Sequence, residues 1–166
     1  MKADAIVYTS CTGHTQQYAQ MLGKELDLSV YSAEEGIARL PRGCRVIYLG
    51  WLRAGRVKGF RKAARHFRIC AVCGVGMFDT GTMTDEVRKA TAIPPSMPLF
   101  TLQGGIDKSC LKGMNKRIIA MLIKGLSDQK QRSPQDERML ELLLTDRNCV
   151  SRENLRDVLS LCQSDR

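Results

Sequence analysis

The sequence predicts an α/β protein built on an open, doubly wound parallel sheet of five strands, in the order 2-1-3-4-5, with a C-terminal helical extension. Three observations predict it. Short apolar runs alternate with stretches of helical periodicity, which is the pattern of βα units. The chain has 166 residues, the size of one ordinary domain, and a domain this long buries roughly 70% of its unfolded surface without a disulfide or metal staple. Hydrophobic residues make up 43% and charged residues 26%, a globular rather than a disordered balance.

Ala5-Ile6-Val7-Tyr8 reads as the first strand. Tyr18, Leu22 and Leu26 recur every four residues and predict the helix that follows. Residues 28–31 form a short second strand, and Val46-Ile47-Tyr48-Leu49 the third, ending at Gly50. Val57, Phe60, Ala64 and Phe67 then make an apolar helical stripe with basic residues on the other faces. Residues 69–75 are the fourth strand. Leu99-Phe100-Thr101-Leu102 is the fifth, just after the breaker Pro94-Pro95. Residues 106–113 are loop, and 114–126 a strongly apolar helix that completes a sheet domain over 1–126.

The tail, 127–166, starts with a polar linker at 127–132. Ser133 is placed to cap a helix whose first residue is Pro134, followed by Met139, Leu140 and Leu143. Ser151 is a second cap, ahead of Leu155, Val158, Leu159 and Cys162. Two readings of these short helices stay open: packing on the sheet domain, or an arm for dimerisation or a partner.

Charge is unevenly spread. The net +9 divides into +7 over 1–68, +4 over 69–132 and −2 over 133–166. The extreme stretch is Arg53, Arg56, Lys58, Arg61, Lys62, Arg65 and Arg68, with no Asp or Glu among them. Such a strip favours anionic partners. No aromatic-basic interleaving or binding motif accompanies it, so no nucleic-acid partner is expected. Seven cysteines, an N-terminus without the pattern of a signal peptide and no apolar run of membrane-spanning length predict a cytoplasmic chain with reduced thiols. Cys70 and Cys73 lie three apart on a strand, on opposite faces, so a shared metal is not expected and buried structural thiols are.

The most informative segment is Tyr8-Thr9-Ser10-Cys11-Thr12-Gly13-His14-Thr15, between the first strand and the first helix. Three hydroxyls and a glycine stand where the helix begins, and its exposed N–H groups and dipole favour an anion. Gly13 permits close backbone approach, while Ser10, Thr12 and Thr15 can donate to phosphate oxygens. Gly-Lys-Ser/Thr is absent, so the loop is no triphosphate cradle, and G-x-G-x-x-G is absent too. Hydroxyl cradling suits a monophosphate without metal. The plainer reading is an ordinary helix cap with turn residues.

Ser10-x-Thr12-Gly13-x-Thr15 after a first strand resembles the FMN-phosphate loop of flavodoxins. The chain as a whole resembles the flavodoxin-domain family that includes the menaquinone-dependent protoporphyrinogen oxidases. The likeness is carried by AIVYTSCTGHTQQYAQMLGKEL, VIYLGWLRAGRVKGF, LFTLQGGIDKSCLKGMNK and DERMLELLLTDRNCVSRENL. The resemblance implies FMN at the switch point between the first and third strands. Its phosphate would lie on Ser10, Cys11, Thr12, Gly13, His14 and Thr15. A second flavin loop would follow the third strand, with Trp51, Leu52, Arg53, Ala54, Gly55 and Arg56. A third wall, residues 76–81, would include Gly76 and Phe78, with Phe78 stacking on the ring. Trp51 either flanks the ring or is core, and His14 is expected exposed, with phosphate contact as the alternative.

The sequence departs from typical flavodoxins, which commonly have Asn at the place of His14 and Gly at that of Cys11, and which tend to be acidic. Arg53 and Arg56 beside the ring would shift its potential upward. Three function classes follow: an FMN oxidoreductase passing electrons to a quinone or similar acceptor, a non-enzymatic FMN carrier, and a cofactor-free interaction protein of the same fold. With flavin carrying the chemistry, no catalytic nucleophile or carboxylate pair is expected. The strip Arg53 to Arg68 is either a solvated face or a docking site. As a docking site it would take an acidic redox partner, a carboxylated substrate or an anionic membrane surface.

Overall fold

A computed structural model describes residues 2–111, 113–129, 131–145 and 147–163. Lys112 of the expected 106–113 loop and Lys130 of the expected linker lie outside them. Five strands form a parallel sheet: β1 (Ala5–Thr9), β2 (Val30–Ser32), β3 (Arg45–Arg53), β5 (Arg68–Gly76) and β6 (Leu99–Gln103). Their order is β2-β1-β3-β5-β6, and the two-residue β4 (Arg56–Val57) pairs antiparallel with the end of β3.

Both faces of the sheet are covered, as parallel sheets require. On one face Ile6, Ile47, Leu49, Ala71, Cys73, Val75 and Leu102 meet Tyr18 and Leu22 of α1 (His14–Leu26). The same cluster takes Val158, Leu159 and Cys162 of α7 (Arg156–Gln163) and Leu155 of the 3₁₀ turn before it. On the other face Val7, Val46, Tyr48 and Val72 meet Ala33 of α2 (Ala33–Arg39), Phe60 and Ala63 of α3 (Phe60–Ala64) and Val87 of α4 (Thr84–Thr91). The period-2 alternation along each strand sends successive side chains to the two clusters.

The tail does not behave as a single arm. α5 (Gly113–Ser127) and α6 (Pro134–Thr145) pack on each other and build a third cluster around Leu126, Leu140 and Leu143. α7 returns to the sheet beside α1. Polar contacts hold that return. The Tyr18 hydroxyl donates to the Gln103 carbonyl and accepts from Asn154 Nδ2 at 2.6 Å. The Cys149 N–H donates to the Gly104 carbonyl at 2.7 Å, and Arg152 grips Glu25 with two bonds of 2.6 and 3.0 Å. Gly105 permits the close approach, because a Cβ there would collide with the Arg147 carbonyl.

Three local expectations are corrected. β3 runs on to Arg53 rather than ending at Gly50, so Trp51, Leu52 and Arg53 are strand, not loop. Ala54 and Gly55 follow with φ of 48° and 72°, the two-residue turn whose twist suits a hairpin, and Arg53 pairs with Arg56. Val57 consequently lies on β4, its N–H donating to Thr91 Oγ1 at 3.0 Å, and α3 starts only after Gly59. The buried stripe is therefore Val57, Phe60, Ala63 and Phe67, while Ala64 is exposed. The third correction concerns β2, which begins at Val30, not at 28. Around Cys70 the β3–β5 register jumps from Val46↔Ile69 to Ile47↔Ala71, a bulge in which Cys70 is the extra residue. Cys73 is fully buried on the α1 face, and burial pushes its thiol well up. The two thiols share no site, and among the described residues no group of His, Cys, Asp or Glu is placed to hold a metal ion.

Candidate functional site

Beyond the carboxyl ends of β1, β3 and β5 lies a cleft of about 350 Å³. Of the residues singled out from the sequence, Cys11, Thr12, His14, Thr15, Trp51, Leu52, Arg53, Ala54, Gly55, Gly76 and Phe78 all line it. Ser10 and Gly13 do not line the cleft but shape the loop that does. Ser10 Oγ accepts the Gly13 N–H at 3.1 Å, and Gly13 sits at φ 90°, where glycine carries little strain. Three segments far apart in sequence thus converge because β1, β3 and β5 are neighbours and all end on one edge.

The floor is the start of α1. Its first N–H groups have no intrahelical acceptor, as at any helix start, and no side chain caps it. The hydroxyl-bearing residues Thr12 and Thr15 stand there. Thr12 Oγ1 is 2.9 Å from His14 Nδ1. His14 is only 6% exposed, which corrects the expectation of an exposed ring. Burial holds it below the ordinary histidine value of 6.5, against the opposing pull of Asp107, so the ring is neutral at pH 7. In the tautomer carrying its proton on Nδ1, the ring donates to Thr12 and leaves the Thr12 hydroxyl proton free for an outside acceptor.

One wall comes from the end of β3. Trp51 is half-buried, lines the cleft and belongs to none of the three core clusters. Leu52, on the other strand face, fills the space that Gly74 and Gly76 leave open. A Cβ on either glycine would stand 2.9 Å from a Leu52 methyl carbon. The smallness of Gly76 is therefore used by a neighbouring side chain of the protein itself. Tyr48 braces this corner from below: fully buried, it donates to the Lys58 carbonyl at 2.7 Å and lies 2.8 Å from Thr9 Oγ1. Burial pushes its pKa up to about 12, so it stays a neutral donor. Gly59, at φ 80°, makes room, since a Cβ there would strike the Tyr48 hydroxyl.

The roof was not anticipated. Ile118, Ile119, Leu122 and Asn115 of α5 and Met139 of α6 close the cleft from above, with Met77, Met83, Ile106 and Leu111 around its rim. Asn115 Nδ2 reaches Cys11 Sγ at 3.5 Å, and an Arg53 Nη2 group reaches Met114 Sδ at 3.3 Å, tying roof to floor and wall. A signal did exist in the sequence: residues 114–126 hold more apolar side chains than one helix face can bury against a sheet. Phe78 packs into the α5–α6 cluster as well as lining the cleft. The cleft is thus mainly apolar with a polar end at the α1 start and one cation, Arg53, on its wall.

The other cations of the strip, Arg56, Lys58, Arg61, Lys62, Arg65 and Arg68, are exposed. Arg56, Lys58, Arg61 and Lys62 surround a shallower hollow of about 240 Å³ on the far side of the β3–β4 hairpin. Comparison of the chain with protein-family models, with curated proteins and with solved structures gives no match.

Proposed function

We propose that this cleft binds FMN and that the protein is a flavodoxin-like electron-transfer protein, akin to the quinone-dependent protoporphyrinogen oxidases. The observation that carries the reading is the junction of two unlike surfaces. An apolar cleft opens at the sheet's switch point, where β1 and β3 lie side by side and their connections leave in opposite directions. It ends on an uncapped helix start beside Thr12 and Thr15. A flat, largely apolar ring with a phosphate tail needs that combination, and about 350 Å³ lies within the range of cofactor pockets, roughly 300–1,000 Å³.

The residues present fit the group. The N–H groups of His14 and Thr15 and the hydroxyls of Thr12 and Thr15 would hold the phosphate, with Ser10 holding the loop in shape through the Gly13 N–H. His14, neutral and buried, orients Thr12 rather than supplying charge. Trp51, Leu52, Phe78 and the backbone of Ala54 and Gly55 would flank the ring, and the α5 roof excludes water from it. FMN, when bound, supplies one- and two-electron redox chemistry. Arg53 on the cleft wall favours added negative charge nearby, which raises the potential of a bound redox group.

Titration of the purified protein with FMN, followed by flavin fluorescence, tests the reading; absence of binding overturns it. If FMN binds, turnover of protoporphyrinogen with a menaquinone analogue identifies an oxidoreductase. FMN binding without turnover of this or other reduced substrates identifies a carrier.

A further inference from the structure

We infer that the outer face of α5 is a docking surface for an anionic lipid bilayer. α5 presents apolar groups on two sides. Ile119, Leu122, Ile123 and Leu126 turn inward to the cleft and to α6. Met114, Ile118 and Met121, at the i, i+4, i+7 spacing of a single helical stripe, face outward, 68%, 39% and 74% exposed. They are three of the four large hydrophobic residues left exposed among those described; the fourth, Leu144, lies on the paired helix α6. Burying such groups is favourable, so a stripe left open on one helix calls for a partner.

Charge complementarity selects the partner. From Lys108 to Ser127 the sequence holds five Lys or Arg and no Asp or Glu. At 100° per residue, Arg117 and Lys124 fall on the flank of the exposed stripe. Arg53 adds a cation at its other end through the contact with Met114. The acidic groups within the two helices, Asp136, Glu137 and Glu141, sit on α6, where Glu141 faces Arg147 at 3.9 Å and Asp136 is engaged by Ser133 at the helix start. Asp128, one residue past the helix end with its N–H donating to the Lys124 carbonyl, is a carboxylate on the same side, and Arg117 and Lys124 outweigh it. An apolar stripe edged by net positive charge is the pattern of a helix lying in the interface of an anionic membrane. With 15 residues α5 lies on a bilayer rather than crossing it, and no helix among those described is long and apolar enough to cross one. Ile118 belongs to the stripe and to the cleft lining alike. A bilayer seated on α5 would therefore meet the mouth of the cleft.

The test is co-sedimentation of the full chain with vesicles of phosphatidylcholine and phosphatidylglycerol in equal parts, against phosphatidylcholine alone. Light scattering of the protein without vesicles is run in parallel. The chain is expected to sediment with the mixed vesicles and far less with the neutral ones. M114E/M121E should lower that partition by about tenfold or more, and R117Q/K124Q should lower it less and flatten its salt dependence. Circular dichroism and thermal unfolding check that each variant is folded. A second pair, M114Q/M121Q, gives the same reading if the acidic pair does not fold. No sedimentation with the mixed vesicles at low salt overturns the inference, as does undiminished binding by folded variants. So does a protein that forms dimers, dispersed by M114E/M121E, and ignores vesicles, which makes the stripe a contact between copies.

Discussion

Two helices, α1 and α2, follow neighbouring strands and begin at the same edge of the sheet, yet their starts are built in opposite ways. α2 closes its own start: Ser32 Oγ accepts the Glu35 N–H at 3.3 Å, and a Glu35 carboxylate oxygen accepts the Ser32 N–H at 3.0 Å. Glu34 and Glu35 answer its dipole, and the Glu35 carboxyl is held below its usual range by those Ser32 bonds. α1 has no acidic residue in its first turn and no side chain on its N–H groups. Its nearest polar side chains, Ser10 and Thr12, bond to Gly13 and His14 of the same loop. One start is satisfied internally and contributes stability. The other leaves its first donors without a side-chain acceptor beside the cleft, as the proposed phosphate site requires.

The contrast can be broken most severely at Thr12. Thr12→Glu puts a carboxylate at the α1 start, where it competes with a phosphate and answers the dipole. FMN affinity is expected to fall by about 100-fold or more while thermal stability holds or rises; calorimetric titration and a melting curve read the two effects. If the cleft holds FMN as proposed, Thr12→Ala removes one phosphate hydrogen bond and should weaken FMN by ~1.5–3 kcal/mol, an order of magnitude or somewhat more in Kd. Unchanged affinity in this variant would count against the placement of the phosphate.

At α2 the sign of the expectation reverses. Ser32→Ala opens the capping box and should cost ~1 kcal/mol of stability, or about 2–4 °C in Tm for a chain of this size, with FMN affinity untouched. The smallest effect concerns pH. His14 is held below 6.5 by burial, so the unfolded chain binds more protons than the folded one just beneath that value. The corresponding stability is complete above pH 6.5 and is lost as pH falls through the window between 6.5 and the lowered value. Urea midpoints measured across that window should decline less steeply in His14→Asn than in the parent chain.

Much of this contrast was legible in the sequence, because it rests on short-range chemistry. The hydroxyl-rich loop at 10–15 announces a helix start, and the apolar runs at 5–8, 69–75 and 99–102 announce strands whose carboxyl ends share an edge. What stayed hidden depended on long-range packing. Ala54 shows no sign of a hairpin turn, since its φ of 48° is imposed by the pairing of Arg53 with Arg56. Val57, Phe60 and Phe67 look like one helix until the hairpin takes Val57 into a strand. From the sequence His14 is expected exposed because nothing local buries it; the cover comes from Gly104 and Gly105, some ninety residues on. The roof of the cleft is legible only as a surplus of apolar side chains over 114–126, and its position over the site is not. Residues 114–126 look like the last helix of the sheet domain, whereas in the fold Leu155 and Val158 pack on the α1 face and α5 residues line the cleft.

The most direct measurement is a paired FMN titration of the parent chain, Thr12→Glu and Ser32→Ala, followed by flavin fluorescence. Saturable quenching in the parent chain and in Ser32→Ala, and its loss in Thr12→Glu, is the expected result. No quenching in the parent chain, or equal affinity in all three, would contradict the assignment of the α1 start as the phosphate site.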